Sequence, residues 1–93
     1  MCAALIGGMD RLKRDYMNEA LSQGVTLKHF TGKERKISGA LGSVDFVVLF
    51  TNKVSHKARK DVIAAARGMN VPVIQQHSCG VSTLRKCISE AVS

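Results

Sequence analysis

The stretch 44-VDFVVLF-50 decides the fold. After Asp45 it is apolar on both of the alternating faces that an extended chain presents, and it is rich in β-branched and aromatic side chains. A half-exposed strand would alternate apolar with polar residues. A run apolar on both faces is the signature of a central strand in a parallel sheet, covered by helices on each side. Its wholly apolar part, Phe46 to Phe50, is far short of the roughly 20 residues that a membrane-spanning helix needs.

Working outward, three more short apolar runs punctuate the chain: 2-CAALI-6, 25-VTLKH-29 and 71-VPVI-74. Helical periodicity fills the intervals. Leu12, Tyr16, Met17, Ala20 and Leu21 predict the apolar face of a first helix, and Ile37, Ala40 and Leu41 a short helix of three turns before Gly42. Val62, Ile63, Ala66 and Met69 predict the third, and Leu84, Cys87, Ile88 and Ala91 the fourth. Asp10 is the expected cap of the first helix, and Gly24 and Gly68 the expected stops of the first and third.

Strand and helix in strict alternation imply a parallel sheet with right-handed crossovers. Lys28 in the second run and Pro72 in the fourth belong at sheet edges, so the first and third runs are central. The predicted order is 2-1-3-4, an α/β three-layer sandwich of flavodoxin-like type, with residues 1–93 forming a single domain.

The formal charge of +7 (14 basic against 7 acidic residues) favours anionic partners: nucleic acid, a phosphorylated ligand, or a carboxylate-bearing cofactor. Aromatic residues are only 4% of the chain and are not interleaved with basic runs, so a single-strand nucleic-acid binder built on stacking is not favoured. Three cysteines, with no CxxC among them, predict neither a disulfide framework nor a zinc site. The start MCAALIGG lacks a basic leader, and a reducing cytoplasm is the expected compartment, without a membrane anchor.

In a sheet of this kind ligands bind beyond the carboxyl ends of the strands, near the place where strand order reverses. That rule selects Gly7-Gly8-Met9-Asp10-Arg11, His29-Phe30-Thr31-Gly32-Lys33, Thr51-Asn52-Lys53-Val54-Ser55-His56 and Gln76-His77-Ser78-Cys79-Gly80. All three histidines fall in this set. Gly7-Gly8 reads equally as a tight turn and as bare backbone admitting an anion to a helix N-terminus, with Arg11 as its clamp. Ser55 is a helix cap, which makes His56 either a solvated first-turn residue or a neutral imidazole held for a ligand. Asn52 suits a turn or the orientation of a ligand, and His29 a surface position. Tyr16 and Cys87 lie on apolar helix stripes and Cys2 opens a buried strand, so all three read as core. Ser78 or Ser82 can satisfy first-turn amides of the last helix, Gly80 permits a tight turn, and Cys79 is either a turn residue or a thiol activated by a helix N-terminus.

With GG-x-x-R-x-x-x-x-Y, TN-x-V-SH and HSCGVSTL in place, the chain resembles a small bacterial family, domain of unknown function 2325, over nearly its whole length. The match runs through Gly7, Gly8, Tyr16, His29, Gly32, Ser38, Ser55, His56 and Gly80. The resemblance implies small polar residues in many relatives where this chain has His77 and Cys79, which would confine any role of those two to a subgroup. The resemblance implies haem and a diatomic ligand such as dioxygen. Imidazoles at one edge, Arg11 and lysines for the propionates, and Met9, Phe30 and Phe50 as an apolar wall are compatible with it. Without CxxCH such a haem is non-covalent, with His77 the first choice of axial ligand, then His56, then His29. Gly7, Gly8, Met9, Arg11, Asn52, Ser55, Ser78 and Cys79 complete the expected site. No residue is assigned to catalysis, and a binding protein is expected rather than an enzyme.

A porphyrin is large for so small a chain, which predicts a homodimer. The alternatives are a regulatory module taking a nucleotide or other anion at Gly7-Gly8-Arg11, and a redox protein using Cys79 with His77 or His56 as base. A phosphoacceptor role is not expected, because Asp10 stands alone at the site and Asp45 lies near the opposite end of its strand.

Overall fold

The computed structural model describes residues 1–31 and 37–92; the expectations placed on Gly32, Lys33 and the Ser38 side chain fall outside what it describes. Four parallel strands, β1 (Cys2–Ile6), β2 (Thr26–Phe30), β3 (Phe46–Phe50) and β4 (Val73–Gln76), stand in the order β2-β1-β3-β4. The helices between and after them are α1 (Lys13–Ser22), α2 (Ile37–Ala40), α3 (His56–Gly68) and α4 (Val81–Val92). The predicted strand order and the three-layer flavodoxin-like architecture are therefore present.

Every residue of β3 is buried, as the continuous apolar run requires. Its alternation divides the core in two. Phe46, Val48 and Phe50 pack with Ala3, Leu5, Tyr16, Ala20, Leu84, Cys87 and Ile88 under α1 and α4. Val47 and Leu49 pack with Ala4, Ile6, Ile37, Leu41, Val62 and Ala66 under α2 and α3. Outside the first core, Arg85 of α4 pairs with Glu19 of α1 at 2.8 Å, and Ser89 Oγ donates to Gln23 Oε1 at 2.8 Å. No helix among the described residues is long and apolar enough to cross a membrane.

Two expectations are corrected. Asp10 does not cap α1; it opens a single 3-10 turn, Asp10–Leu12, whose preceding residue is Met9 and which has no side-chain cap. Gly68 is the last residue of α3 and does not stop it; the left-handed residue is Asn70, at φ 59°. Ile37–Ala40 is helical and continues as a 3-10 turn, Leu41–Ser43; the remainder of the expected three-turn helix lies outside the described residues. Leu21 and Met69 also leave the expected apolar faces, at 60% and 43% exposed. Leu21 stands about 100° round the helix from Ala20, which is enough to turn it off the core.

β2 and β4 begin later than their apolar runs do, for a reason visible at the helix ends. Gly24 is left-handed (φ 77°), Gly24 N donates to Leu21 O, and Val25 N donates to Ala20 O. Asn70 and Val71 repeat this on Arg67 O and Ala66 O. These are Schellman closures, and each uses the amide of the first apolar residue to satisfy a helix carbonyl. Val25 and Val71 are thus spent on α1 and α3, and pairing starts at Thr26 and Val73.

At the other end of α3 the sequence reading holds. Ser55 is the N-cap, its Oγ accepting from Ala58 N at 3.1 Å, and His56 is the first helical residue. Ser55→Ala is expected to lower the unfolding free energy by about 1 kcal/mol, read from the urea midpoint at constant m-value.

Candidate functional site

The carboxyl ends of the strands gather the residues that the sequence singled out. His29 is the penultimate residue of β2, His56 opens α3 after β3, and His77 follows β4 directly, so all three histidines stand at this edge. They are held differently. His29 Nε2 donates to Gly7 O at 2.7 Å, and its ring lies 5.9 Å from that of Tyr16. Its Nε2 is therefore committed to the backbone. His56 Nδ1 accepts from Arg59 Nη2 at 2.7 Å one turn along α3, which leaves the Nε2 side of an exposed ring. His77 is exposed and its ring has no hydrogen-bond partner among the described residues.

Gly7 and Gly8 are both left-handed, at φ 90° and 85°. A Cβ on Gly7 would fall 2.6 Å from Val54 Cγ2 and 2.8 Å from Phe50 O. On Gly8 it would meet the Tyr16 ring and hydroxyl at 3.1 Å and Phe50 Cδ2 at 3.2 Å. The pair thus makes the turn that lets β1 close against the end of β3, with the protein's own atoms in the space that side chains would take. Arg11 is exposed, its Nη2 3.9 Å from Met9 Sδ.

The residue that organises the edge is Tyr16. Its ring is fully buried, while its hydroxyl accepts from Met9 N at 3.2 Å and donates to Cys79 O at 2.5 Å. One phenol therefore ties the β1–α1 turn to the β4–α4 turn, 63 residues away. Burial pushes the phenol above its ordinary 10.0, the hydrogen bond from Met9 opposes this, and the neighbouring Cys79 adds to the rise. The sequence places Tyr16 in the core but misses this function. The signal was available, because a tyrosine on a buried helix face needs a polar partner for its hydroxyl.

Cys79 is half-buried, and Asn52 Nδ2 lies 3.7 Å from its sulfur, joining the β3–α3 turn to the same staple. Ser78 Oγ stands 3.5 Å from Gly80 N and receives Thr83 Oγ1 at 3.2 Å, so the Ser-Cys-Gly turn is partly closed on itself. Gly80 O accepts Leu84 N at 3.2 Å and begins α4. Cys87 lies in the core as expected; burial pushes its thiol up, and Glu90 adds to the shift.

Of the expected apolar wall, Phe50 is fully buried in the first core, and Phe30 and Met9 are half-buried. Among the described residues no group of His, Cys, Asp and Glu could by itself hold a metal ion. A porphyrin relaxes that requirement. It supplies four nitrogen ligands and asks the protein for one or two, which a solitary accessible imidazole meets. His77 fits this role and His56 offers a second nitrogen. The apolar cover that a porphyrin also needs is not exposed at this edge of one chain.

No curated protein and no solved structure matches the chain. One family model does, described as an uncharacterized protein conserved in bacteria, over residues 2–91.

Proposed function

Because the chain belongs to this bacterial family, domain of unknown function 2325, its role has to be argued from its own residues, and we propose that it binds haem non-covalently at the carboxyl edge of the sheet. The observation that carries the reading is the state of the histidines. Two of the three rings are hydrogen-bonded within the fold, whereas His77, fixed in position by β4, presents a solvent-accessible imidazole with no hydrogen-bond partner among the described residues. Bound there, haem would supply an iron centre able to take a diatomic ligand. The exposed guanidinium of Arg11 provides counter-charge for a propionate, as does the cationic balance of the whole chain. A second copy of the chain supplies the missing apolar cover, which makes the functional unit a homodimer.

Haemin titration with a His→Ala series tests this. The wild type is expected to give a Soret band that saturates at one haem per chain. His77→Ala should weaken binding at least about tenfold and move the band, since loss of an axial ligand changes both affinity and ligand field. His29→Ala should leave the band in place. An unchanged spectrum in His77→Ala, with loss in His56→Ala, reassigns the ligand to His56. No Soret band in the wild type overturns the haem reading. Thermal shifts with nucleotides, or rapid alkylation of Cys79 at neutral pH, would then favour the anion-binding or the thiol alternative.

A further inference from the structure

The edge of the sheet at β4 is open, and its chemistry differs from that of the opposite edge. Val47 N donates to Pro72 O, and Val47 stands opposite Val73. In a parallel ladder this turns the backbone groups of Pro72, Ile74 and Gln76 toward β3 and those of Val73 and Gln75 toward the open side. Pro72 therefore does not blunt the edge, because its missing N–H belongs to the β3 side. Val73 and Gln75 offer complete donor–acceptor pairs. At the other edge Lys28 lies on β2 itself, the device by which edge strands usually discourage pairing.

Charge says what the open edge is for. Residues 68–84 contain no Lys, Arg, Asp or Glu, in a chain that is 23% charged and carries +7. An anionic partner would be drawn to the cationic faces and would gain nothing from a neutral one. A second copy of the same cation has the opposite requirement: it can approach closely only where charge has been removed. We infer that β4 pairs antiparallel with β4 of a second copy, through Val73 and Gln75, to make one continuous eight-stranded sheet about a twofold axis.

Antiparallel pairing sets the carboxyl end of each β4 beside the amino end of the other. A groove of about 420 Å³ lies at that amino end, lined by Ile63, Arg67, Val71, Pro72, Val73 and Gln75. His77 of one copy thereby adjoins a groove on the second copy that carries both apolar side chains and the Arg67 guanidinium, a mixed surface able to meet a porphyrin face and a propionate. The pairing itself does not rest on that reading.

The test is light scattering on the haem-free full chain together with two variants. At about 100 µM the wild type is expected at twice the 10.0 kDa of one chain. Gln75→Pro removes an outward-facing N–H without touching the β3–β4 ladder, and is expected to run as a folded monomer with unchanged circular dichroism. Gln75→Lys places a cation on the edge and should raise the dissociation constant at least about tenfold. It decides the matter should Gln75→Pro not fold. A wild-type monomer at this concentration overturns the pairing, as does a folded Gln75→Lys variant that dimerises as tightly as the wild type. Either result leaves the haemin titration of the single chain to be judged separately.

Discussion

Gly7→Ala is expected to lower the unfolding free energy by about 2–5 kcal/mol, the sum of ~1–2 for a side chain forced into left-handed backbone and ~1–3 for overpacking. Relief by movement is closed off on three sides. Gly7 N is held by Phe30 O at 2.8 Å, its carbonyl is held by His29, and Phe50 O, 2.8 Å from the new methyl, belongs to a fully buried strand. Gly39→Ala is the control. It lies in α2 with nothing within 4 Å of the added methyl, and should be neutral or stabilise by up to about 1 kcal/mol. Urea unfolding of the two variants reads the contrast. Equal midpoints would show that the β1–α1 turn yields more easily than its contacts imply.

The second large effect belongs to Tyr16. Tyr16→Ala empties a fully buried ring site and should cost about 3–5 kcal/mol. Tyr16→Phe keeps the ring but leaves Met9 N and Cys79 O without the hydroxyl, at about 1–3 kcal/mol. The difference between the variants separates packing from the staple. An alkaline signature should accompany it. The folded state raises the phenol's pKa above 10.0, so it holds a proton that the unfolded chain releases. The resulting stability is complete below pH 10.0 and is lost as pH rises through the raised value. Tyr16→Phe should flatten that part of the pH profile. The alkaline loss from Cys87, same in sign and starting from its ordinary 9.0, should survive. An unchanged slope above pH 10 in Tyr16→Phe would remove Tyr16 from the account.

What the sequence revealed and what it hid follow one division. Burial is written in composition, so the all-apolar β3, the edge positions of Lys28 and Pro72, the buried Cys87 and the Ser55 cap were all legible. So was the gathering of His29, His56 and His77 at one edge, because parallel topology alone places strand ends together. Hidden were the features set by single hydrogen bonds between distant residues. Nothing in 71-VPVI-74 tells that Val71 N goes to Ala66 O and not to a neighbouring strand. Nothing in the His29 segment tells that its ring holds Gly7 O. The glycine pair read equally as a tight turn and as an approach for a ligand because composition records the absence of a side chain, not what fills the space. Val54, Phe50 and Tyr16 fill it.

The union of α1 with α4 also governs how the chain is made. Glu19 and Arg85 are 66 residues apart, yet the core between their helices needs Leu84, Cys87 and Ile88 to be complete. At a ribosomal pace of about 5–20 residues per second, roughly 3–13 seconds separate the synthesis of the two partners. Throughout that interval the core that β1 and α1 share lacks Leu84, Cys87 and Ile88. Native structure on that side of the sheet therefore cannot be complete until α4 has been synthesised and has left the exit tunnel.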